Sequence, residues 1–384
     1  MRVAIVHYWL VGMRGGEKVL EEICQLFPEA DIFAHAVESQ HLSPIILRHK
    51  ITETFIAKLP GGKKFFRKYL PLMPFALESL DLTAYDLVIS SESGPAKGCI
   101  TSPEAFHVCY VHSPMRYLWD QYWIYKKDAG LLEKFALQLL ASPLRLWDFA
   151  SAARLDGIIA NSHFVRRRIK KSWGRDSTVV YPPVDVESFS ATPKTGSDAT
   201  TPYLFVGEFV SYKKPDLALK ACQKLGRPLL MIGDGPLTSQ LRREAATTTK
   251  IMSRVSFEQL KEEFASCRAL LYPGVEDFGI TPLEVSASGS PVIALGRGGA
   301  AETVVHNETG ILFKEQSVEG LAAAILEFEA QESDFSPQRA CEQAANFDAR
   351  RFQQAFLHAL ISQAPEHLKD PLLERQKNTE ANDW

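Results

Sequence analysis

The feature that most constrains the fold is a repeated alternation of short apolar runs with helical patterns. Runs that are continuously apolar and rich in β-branched residues are typical of buried parallel strands, because helices cover both faces of a parallel sheet. The sequence therefore predicts an α/β fold with doubly wound parallel sheets. The predicted strands are residues 3–7, 31–33, 87–90, 106–111, 157–160 and 177–180 in a first set, and 203–206, 229–232, 269–272 and 291–294 in a second.

A polar segment separates the two sets of strands. It reads VESFSATPKTGSDATTP, is rich in Ser, Thr and Pro, and shows no apolar periodicity, which indicates an exposed linker. Helices are predicted between strands, for example at 16–26, 215–224, 256–265 and 282–287. We expect one Rossmann-like domain over residues 1–185, a second over 186–348, a helix over 349–364 that crosses back to the first domain, and a flexible tail over 365–384.

Composition narrows the classes of function. The chain of 384 residues has a net charge of −3, which gives no indication of nucleic-acid binding. Residues 1–185 are net basic and the remainder is net acidic, so the two halves are expected to meet different partners. The six cysteines form no Cys-x-x-Cys pair and are predicted to be buried, reduced thiols of a cytosolic protein. We expect neither a signal peptide nor a membrane-spanning helix.

Two glycines open the first helix after the first strand. Ligands of doubly wound sheets bind where strand carboxyl ends meet helix N-termini, so a cleft between the two domains is the predicted site. Gly15 and Gly16 would let the backbone approach a ligand, and the free N–H groups there favour an anion or a sugar hydroxyl. The spacing is not Gly-x-Gly-x-x-Gly, which disfavours NAD. A glycine turn without a ligand is the alternative interpretation.

His112 directly follows the predicted strand 106–111. A histidine at a strand carboxyl end is expected to point into the cleft, where it could donate to a sugar hydroxyl or polarise a departing group. The alternative interpretation is a histidine with only a structural hydrogen bond.

Two further loops lie in the second domain. Lys213 and Lys214 precede a helix that starts near Pro215, and a lysine there can neutralise a diphosphate, although an ordinary surface lysine is the alternative. Gly233, Asp234 and Gly235 follow another strand and form a tight turn, which suits the close approach of a nucleotide.

The most informative segment is YPGVEDFGITPLEVSASGSPVIA. It contains Glu276 and Glu284, eight residues apart, with Pro282 starting a helix between them. The loop N–H groups and the helix dipole suit a phosphate, Glu284 can accept both ribose hydroxyls, and Glu276 can accept from the hydroxyls of the sugar. The intervening candidates for donor contact are Asp277, Phe278, Gly279, Ile280 and Thr281.

With these residues in view, the chain resembles the retaining GT-B glycosyltransferases of family four, which share the Glu-x7-Glu element. Within that family it is most similar to bacterial O-antigen and exopolysaccharide mannosyltransferases. The resemblance extends over about residues 1–315, in stretches that include GGEKVLEEI, YVHSPMRYLWD, IANSHFVRRRIKK, VVYPPVD, YKKPDLAL, MIGDGP and EDFGITPLE.

The resemblance implies a GT-B fold, in which residues 1–185 bind the acceptor and 186–348 bind a nucleotide sugar. It implies transfer of a hexose, mannose from GDP-mannose, onto a lipid-linked glycan in bacterial surface polysaccharide or lipopolysaccharide synthesis, with neither a metal nor a cofactor. Alternatives are a UDP-sugar donor, a phosphorylase or epimerase of the same fold, and a non-catalytic nucleotide-sugar-binding protein.

By the same resemblance, Gly15 and Gly16 line the loop near the diphosphate and acceptor, and His112 lies beside the transferred sugar. Lys213 stabilises the diphosphate leaving group, Glu276 holds the sugar and Glu284 the ribose. One position departs from the family pattern: Glu208 stands where an arginine is usual, and Lys214 or Arg297 would have to supply the missing positive charge.

A basic and aromatic segment lies on the acceptor side. The cations Lys63, Lys64, Arg67 and Lys68 alternate with aromatic residues within residues 48–70, a pattern that suits an anionic membrane surface or a lipid-diphosphate acceptor. We therefore expect a cytoplasmic protein that associates peripherally with the inner face of the cytoplasmic membrane. A solvated helix whose aromatic side chains pack inward is the alternative.

Overall fold

The computed structural model describes residues 1–189 and 200–381, and the chain divides into two compact units. Unit 1 contains Met1–Pro183 together with the residues from Ala349 onward, and unit 2 contains Val184–Asp348. The predicted division between residues 185 and 186 lies two residues from the observed one. Most of the predicted linker, residues 190–199, lies outside the described residues.

Strands of unit 1 form one parallel sheet in the order β3-β2-β1-β4-β5-β6-β7. Those of unit 2 form a second parallel sheet in the order β10-β9-β8-β11-β12-β13. The strands are β1 (Val3–His7), β2 (Asp31–Ala34), β3 (Ile51–Glu53), β4 (Leu87–Glu92), β5 (Phe106–Val111), β6 (Gly157–Ala160), β7 (Thr178–Val179), β8 (Tyr203–Val206), β9 (Leu229–Ile232), β10 (Thr249–Met252), β11 (Leu270–Tyr272), β12 (Val292–Leu295) and β13 (Gly310–Phe313).

Helices follow the strands in both units. They are α1 (Gly15–Leu26), α2 (Pro44–Leu47), α3 (Gly62–Phe65), α4 (Met73–Glu78), α5 (Tyr122–Asp128), α6 (Leu131–Ala153), α7 (His163–Trp173), α8 (Val186–Phe189), α9 (Pro215–Leu225), α10 (Thr238–Glu244), α11 (Phe257–Ser266), α12 (Ile280–Ala287), α13 (Ala300–Thr303), α14 (Val318–Ala330), α15 (Pro337–Ala345), α16 (Ala349–Gln363) and α17 (Glu366–Ala381). Short 3-10 turns occupy Ser39–His41, Phe55–Lys58, Phe66–Leu72, Ser211–Lys213 and Glu332–Asp334.

Both sheets are doubly wound. In unit 1 the strand order reverses between β1 and β4, and in unit 2 it reverses between β8 and β11. Ile5 of β1 stands between Ile32 and Ile89 in register, and all three side chains are fully buried. At a reversal point the two following loops leave in opposite directions, which opens a crevice at the strand carboxyl ends. This topology, with a parallel sheet in each unit, is the predicted fold class.

Helix α16 packs into the core of unit 1. Its Phe352 and Phe356 rings lie 5.8 and 6.1 Å from the ring of Tyr110 in β5, measured between centroids. Gln353 also donates to Glu22 of α1 at 2.6 Å. The C-terminal helix is thus part of the first unit.

The predicted flexible tail over residues 365–384 is wrong for most of its length. Residues Glu366–Ala381 form α17, and Leu368 and Leu372 on its inner face are buried in the core of unit 1. Arg375 adds hydrogen bonds to the Leu26 carbonyl and to Glu29. The two leucines are four residues apart and therefore lie on one face of the helix, which packs on unit 1, while its opposite face is polar and exposed. Residues 382–384 lie outside the described part.

The six cysteines are free thiols, and all except Cys341 are buried. Within residues 1–189 and 200–381, no helix is both long enough and apolar enough to cross a bilayer.

Candidate functional site

The end of β1 and the start of α1 form the first part of the site in unit 1. Arg14 is the N-cap of α1, and its backbone N–H donates to the Glu17 carboxylate at 3.0 Å. A Cβ on Gly16 would lie 2.3 Å from the Tyr8 hydroxyl oxygen and 3.6 Å from His112 Nε2. A methyl group here would force the Tyr8 hydroxyl to shift, because the Tyr8 side chain takes the space that the methyl group would need. The structure therefore brings the predicted residues Gly16 and His112 together.

His112 follows β5 and is held from two sides. Its backbone N–H donates to the Glu92 carbonyl at 2.8 Å, and its Nε2 lies 2.8 Å from Ser91 Oγ. Its carbonyl accepts from the Asn161 side chain at 3.0 Å. Burial, with a smaller contribution from His7, lowers the pKa of His112 to about 3. The ring is therefore neutral at physiological pH and can donate only one hydrogen bond.

Two buried residues beside His112 were not singled out from the sequence. His7, the last residue of β1, is fully buried, and neither ring nitrogen has a hydrogen-bond partner among the described residues. Its Nε2 lies 3.8 Å from the buried carboxylate of Glu17, and its ring lies 4.1 Å from that of Tyr8. Burial, and then Glu17, raise the pKa of Tyr8 well above its usual range, so its hydroxyl stays protonated. The sequence feature that could have identified them is the adjacent pair His7 and Tyr8 at the end of a predicted strand.

A buried ion network supports the strand end that holds His112. Lys97 Nζ lies 2.6 Å from Glu92 and also pairs with Asp148, and all three side chains are fully buried. Asp148 accepts at 2.7 Å from the indole N–H of Trp119 and of Trp173. Burial raises the pKa of Glu92, while Lys97 opposes that shift. Because Glu92 ends β4 and its carbonyl binds His112, this network fixes the position of the histidine.

Lys213 and Glu276 form the centre of the candidate site in unit 2. Lys213 Nζ lies 3.0 Å from Glu276 Oε1, and both side chains are largely shielded from solvent. The loop after β11 approaches so closely that a Cβ on Gly274 would lie 2.8 Å from the Lys213 Cα. The Lys213 loop and the Glu276 loop are therefore held together by backbone packing as well as by charge. Lys214 has a left-handed backbone (φ 58°) and is the N-cap of α9.

The loop between Glu276 and Glu284 is fixed by glycines. Gly279 is left-handed (φ 89°) and caps α12, which starts at Ile280, one residue before Thr281 and four before Glu284. The helix starts two residues earlier than the predicted bound at Pro282. Asp277 and Phe278 are buried, and the Phe278 ring lies 5.7 Å from that of Phe347.

The backbone of Gly298 and Gly299 packs against this loop. Gly299 N–H donates to the Glu276 carbonyl at 2.9 Å. A Cβ on Gly299 would lie 2.1 Å from the Phe278 Cα, so these glycines allow two backbones to touch. The loop that precedes α12 is thus rigidly packed on both sides.

The turn at Gly233, Asp234 and Gly235 has a structural explanation. A Cβ on Gly233 would lie 1.9 Å from the Gly207 carbonyl oxygen, and one on Gly235 would lie 2.7 Å from that of Phe209. The exposed Asp234 accepts from Thr238 Oγ1 at 2.6 Å, and this hydrogen bond holds its pKa below the usual value. Close approach of another loop of unit 2 therefore accounts for both glycines.

Glu208 is exposed, and the ion pair of Lys213 is made with Glu276 instead. Arg297 is also exposed.

The basic segment of unit 1 is a solvent-exposed surface. All four predicted cations, Lys63, Lys64, Arg67 and Lys68, are exposed. Lys64 and Lys68 lie over the half-exposed Phe65 ring, at 5.4 and 5.0 Å from its centroid. Lys63 pairs with Glu53 at 2.9 Å, which partly neutralises it.

Comparison with known proteins places both halves of the chain in one group. Residues 13–188 match the family described as Glycosyltransferase Family 4, and residues 192–347 match Glycosyl transferases group 1. A GDP-mannose-dependent alpha-(1-6)-phosphatidylinositol monomannoside mannosyltransferase of Mycobacterium tuberculosis is 29% identical over 194 residues, which are 43% of this chain and 50% of that protein. A GDP-mannose-dependent monoacylated alpha-(1-6)-phosphatidylinositol monomannoside mannosyltransferase of Corynebacterium glutamicum is 31% identical over 194 residues, 43% of this chain and 51% of that protein. The chain spans about half the length of these curated relatives.

Solved structures share the fold over nearly the whole chain. Anabaena Alr3699/HepE, crystallised with UDP-glucose, is 16% identical with a TM-score of 0.65, covering 94% of this chain and 99% of that one. The lipopolysaccharide outer core galactosyltransferase WaaB, in its apo form, is 16% identical with a TM-score of 0.67, covering 95% and 100%. At this identity the likeness establishes the fold alone. The two family matches and the two doubly wound units together show that the chain belongs to the family-four glycosyltransferases with the GT-B fold.

Proposed function

We propose that the protein is a retaining glycosyltransferase that moves a hexose, mannose from GDP-mannose, onto a lipid-linked saccharide during synthesis of a bacterial surface polysaccharide such as lipopolysaccharide. The observation that carries the proposal is the Lys213–Glu276 pair beside the start of α12. The choice of GDP-mannose is supported by the two mannosyltransferase relatives.

In this proposal the donor binds to the loops of unit 2. Lys213 is a shielded ammonium group whose partner is a carboxylate, and a diphosphate can replace that carboxylate as its acceptor. The N–H groups of Ile280 and Thr281 begin α12 and would bind a phosphate oxygen, since a helix N-terminus favours anions. Glu276, released from Lys213, would accept from sugar hydroxyls, and Glu284 would accept from the ribose.

The chemistry that this arrangement supports is stabilisation of a leaving group. When the bond between the sugar and the diphosphate breaks, negative charge develops on the diphosphate. Lys213 and the N-terminus of α12 are already positioned there and would stabilise that charge. Because Glu276 would hold the sugar hydroxyls once the diphosphate has taken its place on Lys213, we assign it a binding role and not that of a nucleophile. We accordingly propose front-face transfer with retained configuration, assisted by the leaving phosphate, with neither a metal nor a cofactor.

His112 is the proposed sugar-contacting residue of unit 1. Because its ring is neutral and its Nε2 is engaged by Ser91, Nδ1 is the nitrogen left for a sugar hydroxyl. Gly15 and Gly16 are proposed to line the same loop.

A donor screen tests the proposed class. We expect GDP and GDP-mannose to raise the unfolding temperature of the protein, and UDP, ADP and their sugars to leave it unchanged. Stabilisation by UDP or UDP-sugars alone would replace GDP-mannose with a UDP-sugar as donor. Transfer of labelled mannose to a membrane extract then tests catalysis. Nucleotide binding without transfer would favour the non-catalytic alternative, which the exposed Glu208 at the usual arginine position motivates.

We also infer that the protein is cytoplasmic and associates with the anionic inner face of the cytoplasmic membrane through Lys63, Lys64, Arg67 and Lys68. Cations beside exposed aromatic rings suit a lipid headgroup layer. Changing all four to Glu should strongly weaken binding to phosphatidylglycerol vesicles. The matched control reverses four exposed cations of unit 2, Lys220, Lys224, Arg243 and Lys250, and should bind as the unmodified protein does. An equal loss of vesicle binding in both variants would contradict this assignment.

A further inference from the structure

Helix α6 presents an apolar face to solvent. The most exposed large hydrophobic side chains of α6 and of the preceding α5 are Leu131 (88%), Leu132 (82%), Trp123 (73%), Leu146 (69%), Phe135 (68%) and Leu139 (64%). Solvent-facing sides of helices in globular proteins are normally polar, so this face has the reverse of the usual pattern.

The inner face of α6 packs against the rest of unit 1. Ala141, Leu144 and Asp148 are buried, and Asp148 belongs to the ion network with Lys97. The exposed positions 131, 135 and 139 are spaced by four residues, so they lie along one line of the helix surface. From Leu131 to Phe149 this face extends about 27 Å, at a rise of about 1.5 Å per residue. Only one side of the helix is therefore available to a partner.

Helix α5 extends the apolar face. Lys126 of α5 donates to Gln138 on the exposed side of α6 at 3.2 Å, and its ammonium lies 5.2 Å from the centroid of Trp123. Trp123 and Ile124 are therefore placed beside the α6 face. An exposed tryptophan with a polar indole N–H is typical of the boundary between water and lipid.

The margins of this face are basic. The charged residues beside it on α5 and α6 are the cations Lys126, Lys127 and Lys134 and the carboxylates Asp128 and Glu133, whereas Arg145 turns inward to the Leu118 carbonyl and the Tyr122 ring. An apolar strip with a net positive border complements an anionic bilayer, in which headgroups meet the border and acyl chains meet the strip. In a two-fold dimer the same positive border would face its own copy, which disfavours a second chain as the occupant.

We infer that the α5–α6 face, defined by Trp123, Ile124, Leu131, Leu132, Phe135, Leu139, Leu146 and Phe149, is a lipid-docking surface that lies flat in an anionic membrane interface. It is a different surface from the basic segment around Lys63, and its chemistry is insertion of apolar side chains. The inference does not depend on the identity of the donor.

Vesicle binding tests this surface. The variant Leu139→Glu/Leu146→Glu places two carboxylates on the face, and the matched control Leu326→Glu/Leu373→Glu changes two exposed leucines of α14 and α17. Loss of one inserted leucine should weaken partitioning about tenfold, so the variant should bind phosphatidylglycerol-containing vesicles about a hundredfold more weakly. The control should bind as the unmodified protein does.

Quenching by brominated lipid gives a second readout. Tryptophan fluorescence should be quenched when vesicles contain bromine in the acyl chains, and Trp123→Phe should remove most of that quenching. Binding by the Leu139→Glu/Leu146→Glu variant equal to that of the control would overturn the inference. A lipid-free dimer of the unmodified protein, broken in this variant and seen by light scattering, would also overturn it by assigning the face to a second copy. Stabilisation by GDP in the absence of lipid should be the same in all variants, which separates this test from that of the donor.

Discussion

Replacing Lys97 by methionine tests the buried ion network. Lys97 pairs with Glu92 and Asp148, and all three side chains are fully buried. Methionine fills a similar volume, so the change removes the charge and leaves little cavity. Asp148 keeps its two indole donors, whereas Glu92 keeps only the N–H groups of Ala96 and Lys97. Glu92 is therefore the group whose protonation state is expected to change.

The loss of unfolding free energy caused by this substitution has an upper limit, called the ceiling below, that depends on pH. Glu92 can take up a proton, and for a carboxyl with an unfolded pKa of about 4.3 this costs about 1.4 kcal/mol per pH unit above that value. The ceiling from Glu92 is therefore about 3.7 kcal/mol at pH 7 and about 1 kcal/mol at pH 5. Since the folded-state pKa is raised, the destabilisation is absent below about pH 4.3 and grows as the pH rises toward the folded value. Because the raised pKa of Glu92 already costs the unmodified protein part of this amount, we expect a loss below the ceiling, about 2 to 3 kcal/mol at pH 7.

Urea unfolding followed by tryptophan fluorescence measures this loss of stability in unit 1, which contains Lys97. Unit 2 contains no tryptophan in its sequence, so the signal reports unit 1. Lys171→Met, at an exposed lysine, is the control and should change the unfolding free energy by less than about 0.5 kcal/mol. A loss for Lys97→Met that is under 1 kcal/mol at pH 7, or that is the same at pH 5 and pH 7, would refute this reasoning.

Three further predictions concern the candidate sites. Lys213→Met should lower turnover at least a hundredfold by removing leaving-group stabilisation, while the equivalent change at the control position Lys224 should leave kcat unaltered. Gly16→Ala should lower unit 1 stability through contact with Tyr8, and the double variant with Tyr8→Phe should recover part of it, as measured by urea unfolding. Because the pKa of His112 is about 3, the kcat/KM profile should show no ionisation from it between about pH 5 and 8. A step near pH 6.5 that His112→Asn removes would contradict this.

Central strands were predictable from the sequence, whereas of the four edge strands only β7 was predicted. The central strands are buried on both faces and read as continuous apolar runs. No strand was predicted for β3, β10 or β13, each of which is an edge strand of its sheet. β3 reads ITE and β10 reads TKIM, and both are partly exposed. An edge strand has one neighbour and more solvent contact, so its composition carries a weaker signal.

The bounds of α6 could not be obtained from apolar periodicity. Periodicity predicts a helix when apolar residues face the core and polar residues face water. In α6 the outward residues are leucine and phenylalanine, while the inward face contains the charged Asp148. Apolar residues therefore lie on both faces of α6, since Ala141 and Leu144 are buried, and a rule based on one buried apolar stripe cannot tell which face is inward. The exposed leucine and phenylalanine side chains are the observation from which the docking surface is inferred.

Loop residues of the candidate site were predictable by type, but their partners were not. Glu276 and Lys213 stood out as charged side chains after strand ends, and the structure joins them at 3.0 Å. The supports of His112 could not be found this way, because Ser91 and Glu92 belong to a strand about twenty residues earlier. Such contacts depend on strand order, which the pattern of a single sequence does not give.

Glycines in these loops have two physical explanations that the sequence cannot separate. A glycine after a strand permits either the close approach of a ligand or that of another part of the chain. At Gly233 and Gly299 the structure shows backbone of the same unit within the space of a methyl group, so a ligand is not needed to explain them. At Gly279 the nearest neighbours of a Cβ would be side-chain atoms of Tyr272 and Pro282 at 3.3 Å or more, while its φ of 89° ends the loop before α12. Gly279 is therefore the glycine whose conformation serves the helix N-terminus at which the donor phosphate is proposed to bind.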